Sequence, residues 1–177
     1  LDLLLRGELA TLQSAEHVAP PLRLTGDAGL AGLYLNELSV RLTGRQDPLP
    51  ELFDAYARTL PRLAGGEPLA WSLRRFERDL LEAVGYGLQL EFEAESGEPV
   101  EPTQLYRYAV EQGPAPCRAG TAHALRGADL LALSEDVMPD AAGLSALRVM
   151  MREVIRFHLG GGELRAWHVL GAAMSRR

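Results

Sequence analysis

Four histidines, one cysteine, a run of glutamates and two groups of arginines are the side chains of this 177-residue sequence that could do chemistry. The histidines are His17, His123, His158 and His168. His158, Glu163 and His168 are spaced around a helix end rather than along one helical face. Zinc ligands come at short fixed spacings, so no metal and no other cofactor is expected. Cys117 as a nucleophile would need a histidine and an orienting carboxylate beside it. His123 is close in sequence, but nothing in the spacing places it there, and a lone thiol is ordinarily a small buried side chain. Glu91, Glu93, Glu95, Glu98 and Glu101 crowd one stretch with no basic residue before Arg107. Such a run repels phosphate and reads as a solvated acidic face. The triple glycine at 160–162 follows a helical pattern and lacks the Lys-Ser/Thr of a phosphate loop, so it reads as a cap and a turn.

The arginines carry more information. All 18 basic residues are Arg and none is Lys. Arg74 and Arg75 lie on the polar flank of an amphipathic segment, LRRFE. Arg75 can pair with Asp79 one helical turn on. Arg74 instead faces Arg78, a like charge. That stripe has no local partner and would suit an anionic ligand, the alternative being a solvated face. Arg148, Arg152 and Arg156 recur every four residues on the outer side of a second segment. They could neutralise a few phosphates, or simply keep that surface in water.

These groups need elements to hold them. Leu30, Tyr34, Leu38 and Leu42 predict a helix over 27–43, capped by Thr25 or Asp27 and ended by Gly44. A second is expected over 48–64, with a kink or break at Pro61. Leu69, Leu73, Phe76, Leu80 and Val84 fall on one face and predict a third over 67–84. Leu88, Leu90 and Phe92 alternate with polar residues and predict a strand, SGEP at 96–99 a turn, and YRYAV at 106–110 another β run. Helices are expected again over 127–135, 141–159 and 163–174. At the start, 1–14 reads as two short strands around Arg6-Gly7, too little to stand alone.

The length fits one domain, or one domain with a fragment of another. An apolar fraction of 47% and a charged fraction of 24% describe a soluble globular chain. No run of about 18 apolar residues marks a membrane span, and LDLLLRGEL is not a signal peptide. A net charge of −6 argues against nucleic-acid binding over the whole surface. From Arg148 onward, however, the sequence is basic. The chain begins with Leu rather than Met, so a fragment of a longer protein is expected.

LQSAEHV, GLYLNEL, ELFDAY, LRRFERDLLEAVGYGL, SGEPV, YRY and LGGGEL occur in one order between about Leu12 and Met174. Together they resemble RecO, the bacterial recombination mediator family, in its proteobacterial form. The resemblance implies a mainly α (α+β) fold. A helical bundle domain over 15–177 would carry a small β insert at about 88–120, similar to a degenerate zinc ribbon. Residues 1–14 would be the last strands of an N-terminal OB-fold barrel. Many relatives carry paired cysteines in the insert. Here Glu93 and Ser96 stand at the first pair and Cys117 is the one thiol, so zinc is not expected. The implied function is non-enzymatic and cytoplasmic, at the nucleoid. Such proteins act with RecR to load RecA on single strands coated by the single-stranded-DNA-binding protein, and they anneal complementary strands. They also bind that protein's acidic, Phe-ending tail, which would want an apolar slot and an Arg. The family's tail-binding Arg maps to Arg74, with Arg75 beside it as a second candidate. Single- and double-stranded DNA would be bound mainly by the barrel, with Arg148, Arg152 and Arg156 as further phosphate contacts. The alternatives are a helical protein-binding scaffold with no DNA role, and a small cytoplasmic hydrolase using Cys117 or the glutamates.

Overall fold

The computed structural model describes residues 2–6, 9–16, 20–45 and 47–168. Strands β1 (Asp2–Arg6) and β2 (Leu9–Ser14) pair antiparallel, with Leu3 opposite Leu12 and Arg6 opposite Leu9. This is the expected strand pair. The tip between the strands lies outside the described residues, as does His17. Helices α1 (Gly26–Leu42), α2 (Pro50–Ala64) and α3 (Leu69–Ala83) follow. Thr25 occupies the cap of α1 in extended backbone, but its side chain makes no capping bond. Helix α1 ends one residue before the expected Gly44, with Thr43 as its cap. Pro50 opens α2, where its missing N–H is not needed.

Pro61 does not break α2, which runs on to Ala64. The last turn is secured by Gly65 N–H donating to Pro61 O at 2.8 Å and by Leu63, which is buried in the core. Loss of one backbone donor is offset by that burial.

The insert departs further from expectation. Residues 88–92 form no strand, only an isolated antiparallel bridge from Phe92 to Pro99. Alternation predicted Phe92 inward, yet it is exposed while Leu90 is buried. The sheet proper is β4–β3–β5: β3 (Leu105–Ala109), flanked by β4 (Gly113–Pro116) and β5 (Leu125–Arg126), all antiparallel. Neither β4, with two prolines in four residues, nor β5, two residues long, carries a readable strand pattern. Helices α4 (Gly127–Ser134) and α5 (Ala141–His158) complete the main elements, and a helical turn covers 165–168. The rest of the last expected helix lies outside the described residues. The protein is thus helical with a small sheet. Among the described residues no helix is long and apolar enough to cross a membrane.

Two apolar clusters meet at α3. Leu73, Phe76 and Leu80 pack with Tyr34, Leu35 and Leu38 of α1 and Leu52 and Leu63 of α2. Trp71 and Leu81, around the helix, pack with Tyr106 of β3, Leu130 and Leu133 of α4, and Leu147, Met151 and Val154 of α5. Helix α3 is therefore buried on two sides, and its polar flank is not a solvent face. Close approach fixes the insert and α5. A Cβ on Gly127 would stand 2.0 Å from Glu101 O, and one on Gly143 would stand 2.2 Å from Asp129 Oδ1.

Candidate functional site

The periodicity that buries Phe76 and Leu80 turns Arg74 and Glu77 toward α5 and α1. Their side chains lie one helical turn apart, the spacing at which two groups on a helix meet. Arg74 Nη2 donates to Glu77 Oε1 at 2.5 Å. From α1, Tyr34 Oη donates to the same oxygen, also at 2.5 Å. Arg74 is 6% exposed, Glu77 1% and Tyr34 2%. Arg74 is thus buried and paired, which corrects the expectation that it lacks a local partner. The sequence pattern shows one apolar face of α3; it does not show that α5 covers the next one.

The pairing is incomplete. Glu77 Oε2 and Arg74 Nε are buried without a hydrogen-bond partner among the described residues. Burial pushes the Glu77 carboxyl above its ordinary range. Arg74, the Tyr34 hydroxyl and the more distant Arg148 pull it back without offsetting the burial. Burial, and then the Glu77 charge, drive the Tyr34 hydroxyl well above its usual value, while Arg74 and the Trp167 indole act the other way.

Helix α5 brings its arginines to this corner. Arg148 is exposed and makes no hydrogen bond or ion pair within the described residues, yet its charge is felt by buried Glu77. Arg152 Nη2 donates to Glu163 Oε2 at 3.0 Å, and its guanidinium lies over the Trp167 ring at 4.6 Å. Arg156 reaches the same Glu163 at 3.7 Å. Glu37 of α1 holds the turn that carries Trp167. Its two carboxylate oxygens accept from the Arg165 and Ala166 backbone N–H groups, each at 2.8 Å. Arg74, Arg148 and Arg152, far apart in sequence, are therefore linked through Glu77, Tyr34 and Trp167.

Arg75 points elsewhere. It donates to Glu67 at 3.2 Å, pairs with Asp136 and lies 5.8 Å over the Trp71 ring. Its expected partner Asp79 is taken by Arg78 at 2.8 Å and by Arg58 at 3.7 Å. Arg78 also donates to Leu133 O at 2.6 Å and pairs with Asp136 at 3.2 Å, so it braces α3 against α4. Adjacent positions on a helix differ by about 100°, which is why Arg74 and Arg75 fall into separate networks.

The other candidates are absorbed by structure. Ser96 Oγ donates to Glu93 Oε2 at 2.6 Å, and Tyr106 Oη donates to Glu93 Oε1 at 3.1 Å while accepting from Glu101 N–H at 2.9 Å. A polar clasp thus closes the turn over 93–98. His123 Nδ1 meets Glu153 Oε1 of α5, away from a role beside Cys117, whose backbone N–H donates to Leu105 O at 2.8 Å. His158 stacks on Tyr86 with ring centroids 4.0 Å apart, and burial lowers its pKa. Among the described residues no group of three or more His, Cys, Asp or Glu side chains could hold a metal ion.

Sequence reasoning missed Glu77, Tyr34 and Trp167 as members of the site. Glu77 stood in plain view, three residues after Arg74 in RRFE. Tyr34 and Trp167 carried no local signal, because their roles depend on how α1 and the 165–168 turn pack against α3.

Residues 23–168 match a family model described as Recombination protein O C terminal. The chain is 46% identical over 176 residues to DNA repair protein RecO of Stenotrophomonas maltophilia (strain R551-3), covering 97% of this chain and 73% of the relative. It is 44% identical over 180 residues to DNA repair protein RecO of Xanthomonas euvesicatoria pv. vesicatoria (strain 85-10), with the same coverage of each chain.

Proposed function

The chain belongs to the RecO family of DNA repair proteins, and on that premise we propose that it is a mediator of repair and recombination. In this reading it captures the C-terminal tail of the single-stranded-DNA-binding protein, works with RecR to load RecA on coated single strands, and promotes annealing. The β1–β2 pair belongs to an OB-fold barrel that supplies much of the DNA contact, and the protein works at the nucleoid without catalysing a reaction.

One observation carries the tail-capture part: the exposed Arg148 and Arg152 of α5 and the half-buried Trp167 adjoin the buried Arg74–Glu77–Tyr34 cluster. An acidic tail ending in Phe needs cationic groups for its carboxylates and an aromatic surface for its ring. Arg148 and Arg152 offer exposed charge and Trp167 offers the ring face. Arg74 is buried beside Glu77, and its guanidinium is shielded from water. Arg75, fixed by Glu67, Asp136 and Trp71, supports α3 rather than touching the ligand.

Calorimetric titration with an acidic peptide ending in Phe tests this. Binding is expected, with a loss of roughly tenfold or more on C-terminal amidation or in the Arg148→Glu variant. Equal affinity for the free acid and the amide would overturn the tail-capture reading.

A further inference from the structure

Arg74 is already occupied. Its Nη2 donates to Glu77 Oε1 at 2.5 Å, and Tyr34 Oη fixes that same carboxylate oxygen at 2.5 Å. Both side chains of the ion pair are more than nine-tenths buried, so water does little to screen one charge from the other. An arriving carboxylate therefore meets a guanidinium whose charge is largely cancelled, beside a fixed negative charge.

Resting on the tail-capture reading, we propose that Glu77 is an internal competitor for the partner's terminal carboxylate. It stands in for the ligand in the free protein and holds the affinity of the site down, which favours release. Arg74 Nε and Glu77 Oε2 are buried with no partner among the described residues, so the pair is only half satisfied. Arg148, whose charge is felt at Glu77, supplies the second positive charge that lets two carboxylates share one corner. Competition of this kind suits a protein that must take hold of a coated strand and then give it up.

Glu77→Gln separates charge from position. Its amide oxygen still accepts from Arg74 and Tyr34, but the negative charge is gone. The full chain should then bind the free-acid peptide at least tenfold more tightly, with an upper bound of roughly a thousandfold from the bare repulsion of a carboxylate about 4 Å away at an effective dielectric near 20. The amidated peptide should be unchanged. Glu67→Gln, which removes a carboxylate paired with Arg75 outside this corner, should leave affinity within about twofold. If Glu77→Gln does not fold, Glu77→Asp, whose carboxylate is drawn back from Arg74, should move affinity the same way by a smaller factor. Unchanged or weaker free-acid binding in the folded Glu77 variant, or an equal gain in Glu67→Gln, would overturn the proposal. Those outcomes stand apart from failure of the tail reading, in which the wild-type chain itself does not distinguish the acid from the amide.

Discussion

Replacing Arg74 by Met removes the cation and roughly keeps the volume. Glu77 is then left 1% exposed with only the Tyr34 hydroxyl as a donor. Breaking a buried pair from one side costs about 3–5 kcal/mol, a large share of a total stability of about 5–15 kcal/mol. Replacing both partners by apolar groups is close to neutral. The double variant Arg74→Met, Glu77→Leu should therefore recover most of the loss, short of about 1–3 kcal/mol for the Tyr34 hydroxyl stripped of its acceptor. Urea unfolding followed by far-UV circular dichroism gives both values, and the slope with denaturant should not change. The single variant should also respond to acid. The folded state holds a proton on the buried Glu77 more tightly than the unfolded chain does, so stability rises as pH falls through the folded pKa. The cost of Arg74→Met therefore shrinks toward low pH. A single-variant cost under about 1 kcal/mol, with no rescue by Glu77→Leu, would refute the buried pair and return Arg74 to the solvent. The same experiment guards the binding work, because lost affinity in an Arg74 variant means something only if the variant is folded.

Gly143→Ala places a Cβ 2.2 Å from Asp129 Oδ1 and should destabilise by about 1–3 kcal/mol, read from the urea midpoint; an unchanged midpoint would contradict the close α4–α5 approach. Burial lowers the His158 pKa, so its contribution is complete above about pH 6.5 and is lost as pH falls from there through the folded value. Thermal unfolding of His158→Phe should thus vary less than wild type between about pH 7.5 and pH 5.5, and parallel curves would count against it. Charge reversal at Arg148 and Arg152 should weaken binding of single-stranded DNA and flatten its salt dependence; no change in either would leave these residues without phosphate contacts.

The helices were readable because each buries an apolar stripe with a regular period. Leu73, Phe76 and Leu80 of α3, and Leu147, Met151 and Ile155 of α5, are all buried as their spacing requires. The insert was less readable, because β4 and β5 draw their stability from pairing with β3 rather than from a pattern of their own. Phe92 shows how period-two spacing misleads when a segment pairs by a single bridge. Arg74 and the α5 arginines were identifiable by type and spacing, but their meeting was not. It depends on α5 crossing the second side of α3, and on Glu37 holding the turn that carries Trp167, the latter through contacts between residues more than a hundred positions apart. The expected partners were wrong for two reasons: tertiary packing supplied Glu67 and Asp136 to Arg75 in place of Asp79, whereas Arg74 pairs within its own turn with Glu77, a spacing of three that the comparison with Arg78 passed over.

The central claim is that one corner, built by α3, α5 and the turn at 165–168, receives the partner's tail. The arginine side-chain Nε–H resonances report on it directly during titration with an acidic, Phe-ending peptide. Shifts are expected at Arg74, Arg148 and Arg152, with Arg75 and Arg78 unmoved. Shifts confined to Arg75 and Arg78, or to none of the five, would contradict the account.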